Sequence, residues 1–496
     1  MRTVQGAALD GLRARVRALA ARRRPERVGR SPRGAAPFAD RGPALPEPGA
    51  SGPDRRTFVR PSFRYAASAP GSTGRATLAG LGDLLRGLAR PRPGEVRASA
   101  AALRALRARR GDAPALVRTR SGRTVLVLLD PQDLRRFYAE PVSVLAAAPP
   151  GKCRGAIPEE SADSGCSRGE LRAEQRQASA EVLAAGLPVH PSSGPFLAAL
   201  AEEARHLADA PALDLARARY AVHRAARRIV LGDAATGDEE LTGWLTQLRA
   251  EGGSPRGGRV RASRSVRSVQ DRARARIEEY AAHADADTLA GRAAHHADPT
   301  GSLDPVGRAQ HWLLAMDAVP ETLLRTLLLL GAHPAEQDLA AAEAVAAVAA
   351  GADRGLLPRL RACVRESLRL YPVVPDLIRV TRAETEWRGV RYPAGTSVLL
   401  PAAFHQRDPE RVPAAHVFVP GRWKNPGADQ DLRMAPFSHG GGRCPGDQLG
   451  LMMTATLCAE VLRSRRIAGT RPVLDPVGPL PATLDPHGIR LTLTRR

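Results

Sequence analysis

The chain has 496 residues, enough for one large core or two domains, and 43% of them are hydrophobic, which suits a globular protein. Its formal charge is +23, but all except Lys152 and Lys424 of its 74 basic residues are arginine, a bias that GC-rich coding explains; with 4% aromatics and no stacking or finger motif, nucleic-acid binding has no support. The five cysteines (Cys153, Cys166, Cys363, Cys444 and Cys458) are few, uneven and odd in number, which argues against a disulfide scaffold and for a reducing, cytoplasmic setting.

Residues 1–72 are rich in Arg, Pro, Gly and Ala and read as a disordered extension, with one amphipathic stretch at Leu12 to Ala21. They contain no apolar core of a secretory signal, and no apolar run in the chain is long enough to span a bilayer. Residues 73–496 read as a single domain. Leu78 to Leu88 and Glu95 to Arg109 are helical in pattern. Leu116 to Leu129 reads as a hairpin turning at Ser121-Gly122, and Asp130-Pro131 caps a helix through Tyr138. A long mixed loop, Pro141 to Ser167, precedes a helix from Arg168 to Leu183, on which Arg172 and Arg176 share a face. Several helical stretches fill 195–300, broken by a Gly-rich loop at Gly252 to Gly258. Arg308 to Gly331 reads as one long apolar helix, and Pro358 to Tyr371 as an amphipathic one with Leu360, Val364 and Leu368 on one stripe. Trp387 to Leu400 reads as a hairpin turning at Pro393-Ala394-Gly395, and Leu449 to Leu462 as a closing apolar helix.

The stretch Phe437-Ser438-His439-Gly440-Gly441-Gly442-Arg443-Cys444-Pro445-Gly446 presents one cysteine on a glycine-rich loop at the head of that closing helix. Glycines let backbone bend closely around a sulfur, Pro445 suits a first helical turn, and the positive end of the helix dipole favours thiolate. A thiolate so held is a strong axial ligand for heme iron. A zinc site from His439 and Cys444 lacks a second pair at zinc spacing, and no phosphate-loop Gly-Lys-Ser/Thr follows.

Here the chain resembles the cytochrome P450 family of heme-thiolate monooxygenases, whose cysteine loop reads Phe-x-x-Gly-x-Arg/His-x-Cys-x-Gly. Phe437, Gly440, Cys444 and Gly446 match; the Arg/His place holds Gly442, with Arg443 one position later. Glu366 and Arg369, three apart, followed by Phe418-Val419-Pro420-Gly421-Arg422-Trp423 and then the cysteine loop, repeat the family's order. The resemblance implies a mainly α fold with a small β portion, heme b ligated by Cys444, and an ionic triad of Glu366, Arg369 and Arg422 behind it. It also implies that Arg379, Arg172, Arg176 and Arg443 meet the heme carboxylates, and that the loop Pro141 to Ser167 lies over the substrate.

On the helix that crosses the heme, the family carries Ala/Gly-Gly-x-Asp/Glu-Thr-Thr. This chain reads Leu314-Ala315-Met316-Asp317-Ala318-Val319-Pro320: Asp317 keeps the acid, and both alcohols that relay protons are gone. Pro320 is expected to free the Met316 carbonyl, which would hold a water fed with protons by Asp317. Peroxide-driven relatives carry an Arg-Pro pair here, which this chain lacks.

The resemblance implies insertion of one oxygen atom from O2 into a lipophilic small molecule, by hydroxylation or epoxidation. Electrons would come from NAD(P)H through a separate ferredoxin reductase and ferredoxin. Two other readings stay open: a heme-thiolate isomerase or dehydratase that needs no oxygen activation, which the missing alcohols favour, and a non-enzymatic heme-binding protein.

Overall fold

Helices with clear start signals set the frame. The computed structural model describes residues 93–118, 124–146, 169–252, 264–296, 303–349 and 355–496. The helices expected at 12–21 and 78–88, the Ser121-Gly122 turn and most of the loop 141–167 lie outside the described residues, as does all of 1–72. The chain divides into two units, Met1–Ser62 and Phe63–Arg496, and every described residue belongs to the second.

In chain order the helices are α1 (Pro93–Arg110), α2 (Pro131–Ala139), α3 (Gly169–Val182), α4 (Ser193–Ala208), α5 (Leu215–Leu231), α6 (Glu239–Gly252), α7 (Arg264–Ala282), α8 (Leu289–Ala294), α9 (Pro305–Ala315), α10 (Ala318–Ala332), α11 (Pro334–Ala349), α12 (Pro358–Leu370), α13 (Ala402–Gln406) and α14 (Asp447–Ser464). Caps are written in the sequence. Asp130 accepts from the Gln132 amide ahead of Pro131, Asp214 from Arg217 and Asp304 from Gly307, each satisfying a free N–H of the first turn. Gly232, at φ 99°, ends α5 in a conformation that residues with a Cβ rarely adopt. The apolar faces of α4, α5, α10, α11, α12 and α14 share one buried cluster, which includes Leu200, Val222, Leu327, Ala341, Leu360 and Met452. No helix among the described residues is long and apolar enough to cross a membrane.

The β portion is small: β1 (Ala115–Arg118), β2 (Thr124–Val127), β3 (Leu145–Ala146), β4 (Ala212–Leu213), β5 (Leu377–Thr381), β6 (Thr385–Trp387), β7 (Val390–Tyr392), β8 (Ser397–Leu400), β9 (Arg465–Arg471) and β10 (Arg490–Arg495). The main sheet runs β1-β2-β8-β5-β3, a second β4-β10-β9, and β6-β7 stand as a pair. The expected hairpin from Trp387 to Leu400 is corrected. Arg388 and Gly389, at φ 48° and 79°, form a tight turn that pairs β6 with β7, while Ser397–Leu400 leaves to run antiparallel to β5 and parallel to β2. Two consecutive left-handed residues match the twist of a two-residue hairpin, so the chain reverses there and not at Pro393-Ala394-Gly395.

The long helix expected over 308–331 is also two helices. It breaks at Met316 and Asp317, so Pro320 sits in the first turn of α10, where its missing N–H costs little. Behind the main sheet, Arg107 of α1 reaches the buried Asp408 at 2.5 Å. The neighbouring Arg407 donates to the Leu480 and Pro481 carbonyls, both at 2.9 Å, so this turn ties the sheet side to the C-terminal segment.

Candidate functional site

Three elements converge on the loop that carries Cys444. The loop closes on itself by the Cys444 amide donating to the Phe437 carbonyl at 2.9 Å and the Arg443 amide to Gly440 at 3.0 Å. Gly440 adopts φ +60°, and a Cβ there would overlap the Tyr138 carbonyl of α2, so only glycine permits this approach. From α3, Arg172 donates to the Gly441 carbonyl at 3.2 Å and Arg176 to the Arg443 carbonyl at 2.7 Å. The two arginines brace the loop by its backbone.

Cys444 is exposed, whereas Cys363 and Cys458 are buried. Surrounding protein nevertheless pushes its thiol pKa up; the Gly446 N–H donated to its sulfur and the charges of Arg176 and Arg443 pull the other way without winning. Helix α14 starts at Asp447, past Pro445, and the charge of the Asp447 carboxylate also raises the thiol pKa. Arg443 is held by that carboxylate, at 2.6 Å, and not turned inward.

Gly442 stands where the family pattern has Arg or His, and a Cβ on it would lie 2.9 Å from Nη2 of Arg379. The guanidinium of Arg379, from β5, occupies that side chain's space. It lies over the Phe137 ring at 4.3 Å, donates to the Phe137 carbonyl and pairs with no carboxylate among the described residues. Burial pulls its pKa down to about 10, and Arg172 adds repulsion. Beside it the Tyr138 hydroxyl is buried with no hydrogen-bond partner.

Behind the loop, Glu366 and Arg369 of α12 are both fully buried, with Arg369 Nη2 2.8 Å from Glu366 Oε1. Arg422 Nε adds a bond to the same carboxylate at 3.1 Å, the Val419 amide another at 3.0 Å and Trp423 Nε1 another at 2.9 Å. Arg369 also donates to the carbonyls of Gln406, Ala415 and Val417. Trp423 escaped the sequence reading as a ligand of Glu366, although it lies in the motif that carries Arg422. Phe437 packs on the neighbouring cluster of Val364, Leu368 and Leu451.

Asp317 lies at the break between α9 and α10. Its carboxylate receives Arg249 of α6 at 2.8 Å, His223 of α5 at 3.1 Å and Arg219 of α5 at 3.7 Å. Burial raises its pKa, but the His223 hydrogen bond and the two guanidinium charges outweigh that and hold it below the usual carboxylate range. Arg249 also donates to the Leu314 carbonyl at 2.8 Å. No sequence pattern ties His223 to a partner 94 residues away. The Met316 carbonyl is not free: it accepts from the Val319 amide at 2.9 Å, because the break substitutes a tighter turn for the helical bond. The Thr322 hydroxyl donates to the Ala318 carbonyl at 2.8 Å.

Residues 315–471 match the cytochrome P450 family model. That match covers less than half of the chain. Among curated relatives, cyclooctat-9-en-7-ol 5-monooxygenase of Streptomyces melanosporofaciens is 35% identical over 34% of this chain and 40% of that protein. Mitochondrial sterol 26-hydroxylase of Rattus norvegicus is 32% identical over 35% and 34%. Sterol 14alpha-demethylase of Mycobacterium tuberculosis is 32% identical over 23% and 26%. The aligned part thus spans well under half the length of each of these relatives. The retinoic acid bound cyanobacterial CYP120A1 superposes with a TM-score of 0.63 at 16% identity, covering 79% of this chain and 94% of that one, which shows the P450 fold.

The P450 family implies heme b, and the residues present fit it. A heme offers an iron and two carboxylates; this site offers an open cysteine sulfur with an amide N–H directed at it, two buried guanidinium groups at Arg379 and Arg172, and an orphaned tyrosine hydroxyl.

Proposed function

We propose that this chain is a cytochrome P450, an oxidoreductase that inserts one oxygen atom from O2 into a lipophilic small molecule. The observation that carries this reading is the exposed Cys444 on a loop braced by Arg172 and Arg176, with Arg379 filling the space over Gly442. Heme bound there supplies the oxygen-activating chemistry. Cys444 would hold its iron, and Arg379, Arg172 and the Tyr138 hydroxyl would meet its carboxylates. Glu366, Arg369 and Arg422 keep the loop's backing rigid.

Asp317 is the proton-handling group in this reading. Its carboxylate hydrogen-bonds His223 Nε2, which it orients for proton delivery, and Arg249 keeps it ionised and aligned. The Met316 carbonyl already accepts one bond, from the Val319 amide at 2.9 Å. Substrates named for the relatives are lipophilic, which favours the same class here. Electrons come from NAD(P)H through a separate reductase and a ferredoxin, received by the arginine-rich surface around Arg443 and Arg176, and a cytoplasmic location suits such partners.

The test is the carbon monoxide difference spectrum of the dithionite-reduced protein. A strongly red-shifted Soret band that vanishes in Cys444→Ser supports the reading; a band at the neutral-ligand position in the unsubstituted protein overturns it. One observation favours a second reading, heme-thiolate rearrangement without O2: Ala318 and Val319 supply no alcohol, and Thr322 is bonded back into its own helix. Turnover under strict anaerobiosis would select it.

A further inference from the structure

Asp447 opens α14 three residues past Cys444, and its side chain is only 3% exposed. One carboxylate oxygen, Oδ2, receives Nη2 of Arg443 at 2.6 Å and its Nε at 3.0 Å. The other, Oδ1, accepts the Gln448 amide at 2.7 Å. Arg443 directly precedes Cys444, its side chain is 41% exposed, and its carbonyl takes the brace from Arg176. A buried anion and a half-exposed cation thus flank the cysteine along the chain and are clamped to one another. Arg361 and Arg365 of α12 feel the same anion: burial lowers both guanidinium pKa values, Arg361's to about 10, and the Asp447 charge pulls them back up. Among the described residues only Arg443 forms an ion pair with Asp447. An acid in a first turn suits the helix dipole wherever it stands, so the dipole does not account for the arginine held across it.

We propose that Asp447 acts through its charge to lower the reduction potential of iron held by Cys444, and that Arg443 limits the effect by pairing with it. This rests on the heme placement of the oxygenase reading and adds a charge control to it. A fixed anion opposes the gain of an electron at the iron, as it opposes ionisation of the Cys444 thiol, and shielding from water keeps that opposition strong. Arg443 brings the opposite charge from the other side of the cysteine in the chain, so the pair sets the balance and neither group does so alone. In this role Arg443 acts on the surroundings of the sulfur, and the heme carboxylates would be left to Arg379 and Arg172.

The experiment is a potentiometric titration of the heme-loaded protein, followed by its Soret absorbance, for the unsubstituted chain, Asp447→Asn, Asp447→Glu, Arg443→Gln and the double variant Asp447→Asn with Arg443→Gln. Asp447→Asn should favour the reduced iron about tenfold, a rise of about 59 mV for one electron. Arg443→Gln should shift the potential the opposite way, the double variant should return near the starting value, and Asp447→Glu should keep it. Potentials that do not differ would overturn the proposal. So would a shift in the same direction in Asp447→Asn and Arg443→Gln, because losing a purely structural clamp acts alike whichever partner is removed. Faster heme transfer to apomyoglobin from Arg443→Gln at an unchanged potential would also overturn it, by putting Arg443 on a heme carboxylate. Should Asp447→Asn fail to fold, Arg443→Gln carries the test, since that side chain is half-exposed. The titration reads whatever heme the site holds, so a neutral-ligand carbon monoxide band would sink the oxygenase reading while the potentials still give their own answer.

Discussion

Gly442 shows how one side-chain loss can be answered from a distant strand. A Cβ there comes too close only to the end of a flexible guanidinium, with the Ser438 hydroxyl at an ordinary 3.8 Å, so Gly442→Ala should move Arg379 without unfolding the loop. We expect a stability change of no more than ~1 kcal/mol together with faster heme transfer to apomyoglobin. Unchanged heme release would mean that Arg379 does not hold the cofactor. Glu366 is the opposite case, because its carboxylate accepts from two arginines, an indole and an amide in a fully buried position. Glu366→Gln leaves Arg369 charged and buried, which should cost ~3–5 kcal/mol in thermal or urea unfolding. A loss no larger than that of a surface substitution would show that the triad contributes little. The residue types of this cluster were legible, since Glu-x-x-Arg spacing puts both side chains on one helix face. That Arg379 replaces the missing loop side chain was not, because β5 and the loop meet only in the folded chain.

Among the elements, the break between α9 and α10 matters most. Hydrophobic periodicity runs unbroken through it, so the sequence reads as one helix, and the break becomes visible only where Met316 turns to the Val319 amide. Asp317 then leaves the helix face and gathers cations from α5 and α6. Its folded-state pKa lies below the ordinary value of 3.8, so the stability it contributes is present above that pH and is lost as pH falls through the folded value. Asp317→Asn should therefore be less stable than the unsubstituted protein at neutral pH, and the gap should close as acid unfolding is followed below pH ~4. A gap that stays constant to the lowest pH would show that the ion pairs with Arg249 and His223 contribute nothing. Arg249 lies near the end of α6, so the same substitution should raise amide hydrogen exchange there.

For the molecule as a whole, charge is the dominant property. The proposed docking of an acidic electron donor would draw on a net +23 carried almost entirely by arginine, whose long-range part is screened by salt. The rate of reduction by an acidic ferredoxin should fall about tenfold or more between 0.02 and 0.3 M salt. A rate independent of ionic strength would remove the electrostatic docking proposed for the cysteine face.

By itself the sequence determined what is written within one turn or one loop: the order of Glu366, Arg369, Arg422 and Cys444, the caps at Asp130, Asp214 and Asp304, and the mainly α character. These depend on spacing along the chain, where local geometry leaves few choices. Only the tertiary structure decided which partners those groups take. It turned Ser397–Leu400 to β5 and β2, put Arg379 over Gly442, and gave Asp317 to His223 and Arg249. Such pairings arise where segments far apart in the chain are pressed together, and there burial and charge, not spacing, select the contact.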